Sequence, residues 1–148
     1  MSLSPTQYEA WRALIIASHV LDAALESQAQ RDGDLPHAYY KVLVFLYESP
    51  ERRMTMGELA ATQRYSVSRV THAVASMERS GWLRRAVSEH DRRVRFVELT
   101  EAGIQLVRRV SPLQVTEVRE PTLAGLSAEQ IAQLTALSRA ITANLLVE

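Results

Sequence analysis

Cysteine is missing from this chain, and with it go a disulfide framework, a thiolate zinc site and any switch built on sulfur. Long apolar runs are missing too: no segment approaches the roughly 18 consecutive apolar residues of a membrane span, so no membrane partner is expected. The first twenty residues hold Glu9, Trp11, Arg12 and His19, and no basic start leads into an uninterrupted apolar stretch. No signal peptide is therefore expected, and the cytoplasm is the expected location. There is no glycine-rich phosphate loop, no Gly-x-Ser-x-Gly elbow and no carboxylate-histidine cluster at a useful spacing, so enzyme chemistry lacks support. The four histidines (19, 37, 72 and 90) contain no pair at helical metal-ligand spacing, and neither a metal nor another cofactor is expected.

Net charge is also absent, with 17 Lys and Arg against 17 Asp and Glu over 148 residues. A duplex-binding surface should be basic, so a neutral chain argues at first against nucleic acid. The distribution reverses that argument. From Arg52 to Arg95 there are ten arginines (52, 53, 64, 69, 79, 84, 85, 92, 93 and 95) against Glu58, Glu78, Glu89 and Asp91, a local charge of +6. The rest of the chain carries the compensating −6. Lys41 is the one basic residue that is not arginine, and arginine is the side chain suited to forked contacts with phosphate and guanine.

The chain is long enough for one domain with a real core. Tyr8, Trp11, Leu14, Ile15, Leu21 and Leu25 recur at helical spacing after a Ser4-Pro5 start, and Arg31-Asp32-Gly33-Asp34 breaks this first helix. Leu35-Pro36 opens a second helix with a stripe of Tyr39, Val42, Leu43 and Leu46, ended by Pro50. Thr55 and Glu58 have capping-box spacing for a third, and Ser66 caps a fourth whose stripe is Val67, Val70, Val74 and Met77, stopped by Gly81. Two short helices a few residues apart are the layout of a helix-turn-helix. Residues 82–87 and 94–99 read as strands of a hairpin with a polar tip at 88–93. Thr100 starts a long helix that Pro112 should kink or divide and Pro121 should close, and Ser127 with Gln130 opens a last one. The expected fold class is mainly α with a small β-hairpin (α+β).

On the fourth helix, Ser66, Ser68, Arg69, Thr71, His72 and Ser76 are the polar candidates for a major groove, with Arg69, His72 and Ser76 sharing one face. An ordinary polar helix face is the bland alternative. The hairpin tip is more specific. Arg92, Arg93 and Arg95 crowd around Asp91, which is wasteful in a structural turn and suited to a finger along phosphates or in a narrow minor groove.

Asp91-Arg92-Arg93, then five residues, then Leu99-Thr100, resembles the wing signature of the MarR family of bacterial transcription regulators. The order of elements agrees over nearly the whole chain, as do Met56-Gly57-Glu58-Leu59-Ala60, Ser66 to Thr71, and Met77 to Leu83. The resemblance implies a winged helix-turn-helix lobe at 36–99 and helical dimerisation regions at 1–35 and 100–148, all within one domain. It implies a homodimer on a pseudo-palindromic double-stranded operator. It also implies that Arg93 reaches the minor groove with Asp91 orienting it. Ser88-Glu89-His90 stands where the fuller pattern often has another Asp-x-Arg.

The same resemblance implies a repressor released by a small aromatic or phenolic effector, for which Trp11, His19, His37, Tyr39 and Tyr40 are the candidate pocket residues. Apart from any family, the apolar stripes of the first and last helices exceed what a small winged lobe covers, a reason for two copies to pack together. The competing reading is a winged-helix protein-interaction or architectural module without a ligand response.

Overall fold

A computed structural model describes residues 3–64 and 66–146. Helix α1 (Pro5–Gly33) starts at Ser4, where the Ser4 and Gln7 side chains accept from each other's backbone N–H groups. Pro5 occupies the first turn, in which its missing N–H has no helical partner to lose. Asp34 ends the helix in a left-handed conformation, φ 54°. Helix α2 (His37–Glu48) follows Pro36 and buries Tyr40, Val42, Leu43 and Leu46.

Helix α3 (Met56–Gln63) has the capping box expected at Thr55: the Glu58 N–H donates to Thr55 Oγ1 at 3.2 Å and the Thr55 N–H donates to Glu58 Oε2 at 2.7 Å. The turn after it passes through Arg64 at φ 57° to helix α4 (Val67–Arg79). On α4, Val70, Val74 and Met77 are buried against α2 and α3, but Val67, expected to begin that stripe, is 55% exposed. The first turn of α4, Ser66 to Arg69, is exposed.

The hairpin is formed by β2 (Leu83–Val87) and β3 (Arg95–Leu99), with Leu83 opposite Leu99 and Val87 opposite Arg95. A third strand, β1 (Arg53–Thr55), was not expected from the sequence; it pairs antiparallel with β3, giving the order β1-β3-β2. Three residues are too few to display a two-residue alternation, and the strand exists through its partner. A tight turn at Pro50–Arg52 leads into it with Glu51 and Arg52 at φ 53° and 54°, a conformation costing ~1–2 kcal/mol per non-glycine residue.

Helix α5 (Glu101–Gln114) is capped by Thr100 and contains Pro112. The expected break is displaced: helical structure runs through Pro112 and changes at Val115–Arg119, a π-helical turn continuous with α6 (Glu120–Leu123). Proline removes one backbone donor and crowds the preceding turn, and widening the next turn to i→i+5 bonds is one way to absorb that. Pro121 does not close the region, because it sits in the first turn of α6 and the chain leaves the helix near Gly125, φ 78°. Helix α7 (Ala128–Leu145) has the Ser127–Gln130 capping box and buries none of its residues within the chain.

The core lies between α2, α4, α5 and the sheet, where Leu43, Leu46, Val74, Met77, Val97 and Val110 are each at most 1% exposed. At one edge, a Cβ added to Gly103 would stand 2.3 Å from the Trp82 carbonyl oxygen, so only glycine lets α5 approach the root of β2 this closely.

Candidate nucleic-acid interface

Ser66 caps α4 by accepting from the Arg69 N–H at 3.3 Å, so its hydroxyl is committed to the helix start. Ser68, Arg69, Thr71 and His72 are exposed on the first two turns, and Ser76 is half-buried. Thr71 Oγ1 donates to the Val67 carbonyl at 2.8 Å. Arg69 and His72 also border a small cavity of about 210 Å³ between α2 and α4, where the buried Gln63 amide has no hydrogen-bond partner.

The hairpin tip is a built turn. Ser88 donates its N–H to the Val94 carbonyl at 3.0 Å, while its hydroxyl accepts from the His90 and Asp91 N–H groups at 3.2 and 3.3 Å. Asp91 Oδ1 accepts from the Arg93 N–H at 2.9 Å, and the Asp91 carbonyl accepts from Val94 at 2.9 Å. The aspartate thus fixes the Arg93 backbone, and no ion pair joins it to a guanidinium among the described residues. Ser88 was missed by sequence reasoning. Its signal was chemical: a serine hydroxyl can collect the turn N–H groups as an aspartate would.

The arginines divide into two sets. At the base of the sheet, Arg84 pairs with Glu98 at 3.3 Å and Arg85 with Glu78 at 3.0 Å. Arg53 pairs with Glu51 and lies over the Phe96 ring, and Arg52 lies over Tyr47. Arg92, Arg93 and Arg95 at the tip, and Arg79 at the end of α4, are exposed and pair with no acid among the described residues. The ion pairs are thus at the base of the sheet, and the tip arginines carry none.

A larger cavity of about 570 Å³ lies between α1, α2 and the π turn. Of the five candidate pocket residues, His37 and Tyr40 line it, together with Lys41, Glu48 and Arg119 on a mostly apolar wall. Trp11 is 53% exposed on α1, His19 is exposed on the same helix, and Tyr39 borders the smaller cavity instead. Burial, with Lys41 adding to it, lowers the His37 imidazole below its ordinary value. Burial likewise raises the Tyr40 phenol; Ser111 approaches its hydroxyl without completing a hydrogen bond. Gln114, which sequence reasoning also missed, donates to Gln28 Oε1 at 3.3 Å and accepts from Arg119 Nη2 at 3.0 Å, fixing Arg119 at the cavity wall.

A sequence profile of the MarR family matches residues 34–94. Sco3205, a MarR family transcriptional regulator from Streptomyces coelicolor solved in complex with DNA, is 38% identical over the whole chain and 93% of its own, with a TM-score of 0.93. The chain belongs to the MarR family. AbsC, another MarR family transcriptional regulator of S. coelicolor, is 34% identical over 98% of this MarR chain and 97% of its own, at a TM-score of 0.91. The transcriptional repressor MprA of Escherichia coli K12 is 26% identical over 98 residues, 65% of this chain. The chain spans about half the length of the curated relatives it matches. Its family is one of transcriptional regulators and not of enzymes. No helix among the described residues is long and apolar enough to cross a membrane.

The Asp91 geometry separates two roles for that carboxylate in a MarR wing. Because the bond to the Arg93 N–H needs an oxygen and not a charge, Asp91→Asn should keep the Arg93 amide protected from hydrogen exchange. Asp91→Ala should lose about fivefold of that protection, the worth of one ordinary hydrogen bond. Equal loss in both variants would show that the charge itself holds the turn.

Proposed function

We propose that this MarR-family regulator binds double-stranded DNA as a homodimer, with the first turns of α4 in the major groove and the 88–94 tip against phosphates or the minor groove. The observation that carries this is the set of exposed arginines without ion pairs on a hydrogen-bonded tip, together with an exposed start of α4. The lobe spans 36–99, and 1–35 with 100–148 form the dimerisation region. Ser68, Arg69, Thr71, His72 and Ser76 face base edges or phosphates, with Arg92, Arg93 and Arg95 supplying charge. Ser66 and Asp91 act through the turns they hold.

The dimer follows from what the single chain leaves uncovered. Tyr8, Trp11, Leu14 and Ile15 on α1 and Ile131, Leu134, Leu137 and Ile141 on α7 are each at least 37% exposed, an apolar area that water penalises by ~25 cal/mol per Å². Two copies related by a two-fold axis would present two α4 helices to a palindromic site. The protein represses, and a small aromatic anion in the 570 Å³ cavity releases it by shifting the spacing of the lobes. Apolar walls with the cationic Arg119 at the rim suit such a ligand, and the neutral His37 supplies a hydrogen bond.

Selection of bound fragments from genomic DNA followed by fluorescence anisotropy tests the DNA reading. Arg93→Ala should weaken binding to the selected site by tenfold or more, roughly the worth of a hydrogen bond to a charged group. If Arg93 meets a phosphate, the variant should also lower the log-log salt slope by about 0.9. Normal binding by this variant, or a flat salt dependence of the wild type, would favour a protein-interaction module. Sedimentation should give a dimer for the wild type, and Leu137→Glu, placing a charge at a residue 62% exposed in the single chain, should shift it toward monomer. A monomeric wild type would remove the palindrome argument. For the cavity, salicylate-like, phenolic and urate-like compounds should raise the melting temperature, and Arg119→Ala should abolish the response. Silence across the panel would leave a constitutive regulator.

A further inference from the structure

The exposed start of α4 carries an apolar surface that the arginine argument does not use. Val67 is 55% exposed, whereas Val70 and Val74, the next members of its stripe, are 1% and 0% exposed. One turn along the helix, Thr71 is exposed and its hydroxyl is already donating to the Val67 carbonyl at 2.8 Å. That bond occupies the hydroxyl proton and leaves the threonine methyl as the group with no competing use. Residues four apart on a helix are neighbours on its surface, so the Val67 isopropyl and the Thr71 methyl adjoin.

A single exposed valine is ordinary on a protein surface. The position of this one is not, because the N-terminal residues of a recognition helix are those that meet base edges. An isopropyl group neither donates nor accepts hydrogen bonds. Against a guanine O6 or a cytosine amino group it would displace water and return nothing. The major groove offers it one complementary surface, the C5-methyl group of thymine. We propose that Val67 and Thr71 form an apolar ledge that selects thymine at one position in each half-site, through contact with that methyl group. The proposal deepens the DNA reading above and rests on it.

The test uses the full-length protein and the duplex enriched by selection from random DNA. Each thymine is replaced in turn by deoxyuridine, which removes the methyl group and keeps every hydrogen-bonding edge. Wild-type affinity should fall about fourfold at one symmetric pair of positions, the worth of one buried methyl. Val67→Ala should bind the unmodified site more weakly and be much less sensitive to uracil at the same pair, while Thr62→Ala, at an exposed residue of α3, keeps the wild-type sensitivity. Indifference of the wild type to uracil at every thymine would overturn the ledge while leaving DNA binding intact. Full sensitivity retained by Val67→Ala would also overturn it. If selection enriches no duplex at all, the DNA reading falls and the ledge falls with it.

Discussion

Where the backbone of Trp82 passes over Gly103, four parts of the molecule are tied into one joint. The Trp82 N–H donates to the Met77 carbonyl, which fixes the end of α4 to the start of β2. Thr100 at the end of β3 donates its N–H to the Trp82 carbonyl at 3.1 Å and its hydroxyl to the Gly81 carbonyl at 2.6 Å, and that same hydroxyl caps α5 by accepting from Gly103. A side chain at 103 would collide with the Trp82 carbonyl, so the joint requires the glycine as well as the hydrogen bonds. It sets the angle between α4 and the wing, and between both and the helix leading to the rest of the chain. If groove and phosphate contacts are made together, this is the joint that makes them concerted.

Much of this was legible because caps are local chemistry. Thr55 with Glu58, Ser66, Thr100, and Ser127 with Gln130 each announce a helix start within four residues, and each side chain makes its expected capping bond. What failed to show were features decided by distant partners. Strand β1 depends on β3, more than forty residues away, and the buried Gln28 and Gln114 are hydrogen-bonded to each other across 86 residues of sequence. Val67 misled for a related reason: periodicity gives the face of a helix but not the length over which neighbours cover it. The candidate site was legible in its arginines and in Asp91, whose residue types carry the chemistry. The role of that aspartate was not, since a carboxylate next to arginines looks equally suited to a guanidinium and to a turn N–H.

The polar contacts beside the large cavity give the helical region a similar logic. Gln28 on α1 donates to Asp32 at 2.9 Å, Arg31 pairs with both Asp32 and Glu117, and Gln114 links Gln28 to Arg119. These bonds join α1 to the π turn at the place where helical bonding has just changed register after Pro112. Under the proposed effector reading, an Arg119 already held by Gln114 would meet a ligand with part of its orienting cost removed, and a ligand that pulled it away would disturb the α1 contact as well. These named hydrogen bonds thus tie the cavity wall at Arg119 to α1.

The neutral composition fits this division of labour. A chain of high positive charge would attach to any duplex, and sequence preference would be a small correction to a large electrostatic attraction. Here Glu98, Glu78 and Glu51 neutralise Arg84, Arg85 and Arg53 at the base of the sheet, while acids outside 52–95 balance the remainder. Among the described residues, Arg92, Arg93 and Arg95 at the wing tip and Arg79 at the end of α4 carry no ion pair. Attraction then depends on these elements reaching DNA in the geometry that the Trp82–Gly103 joint imposes. A movement of the lobes that breaks this geometry would take the wing-tip arginines and the start of α4 off the duplex together, because one joint holds both.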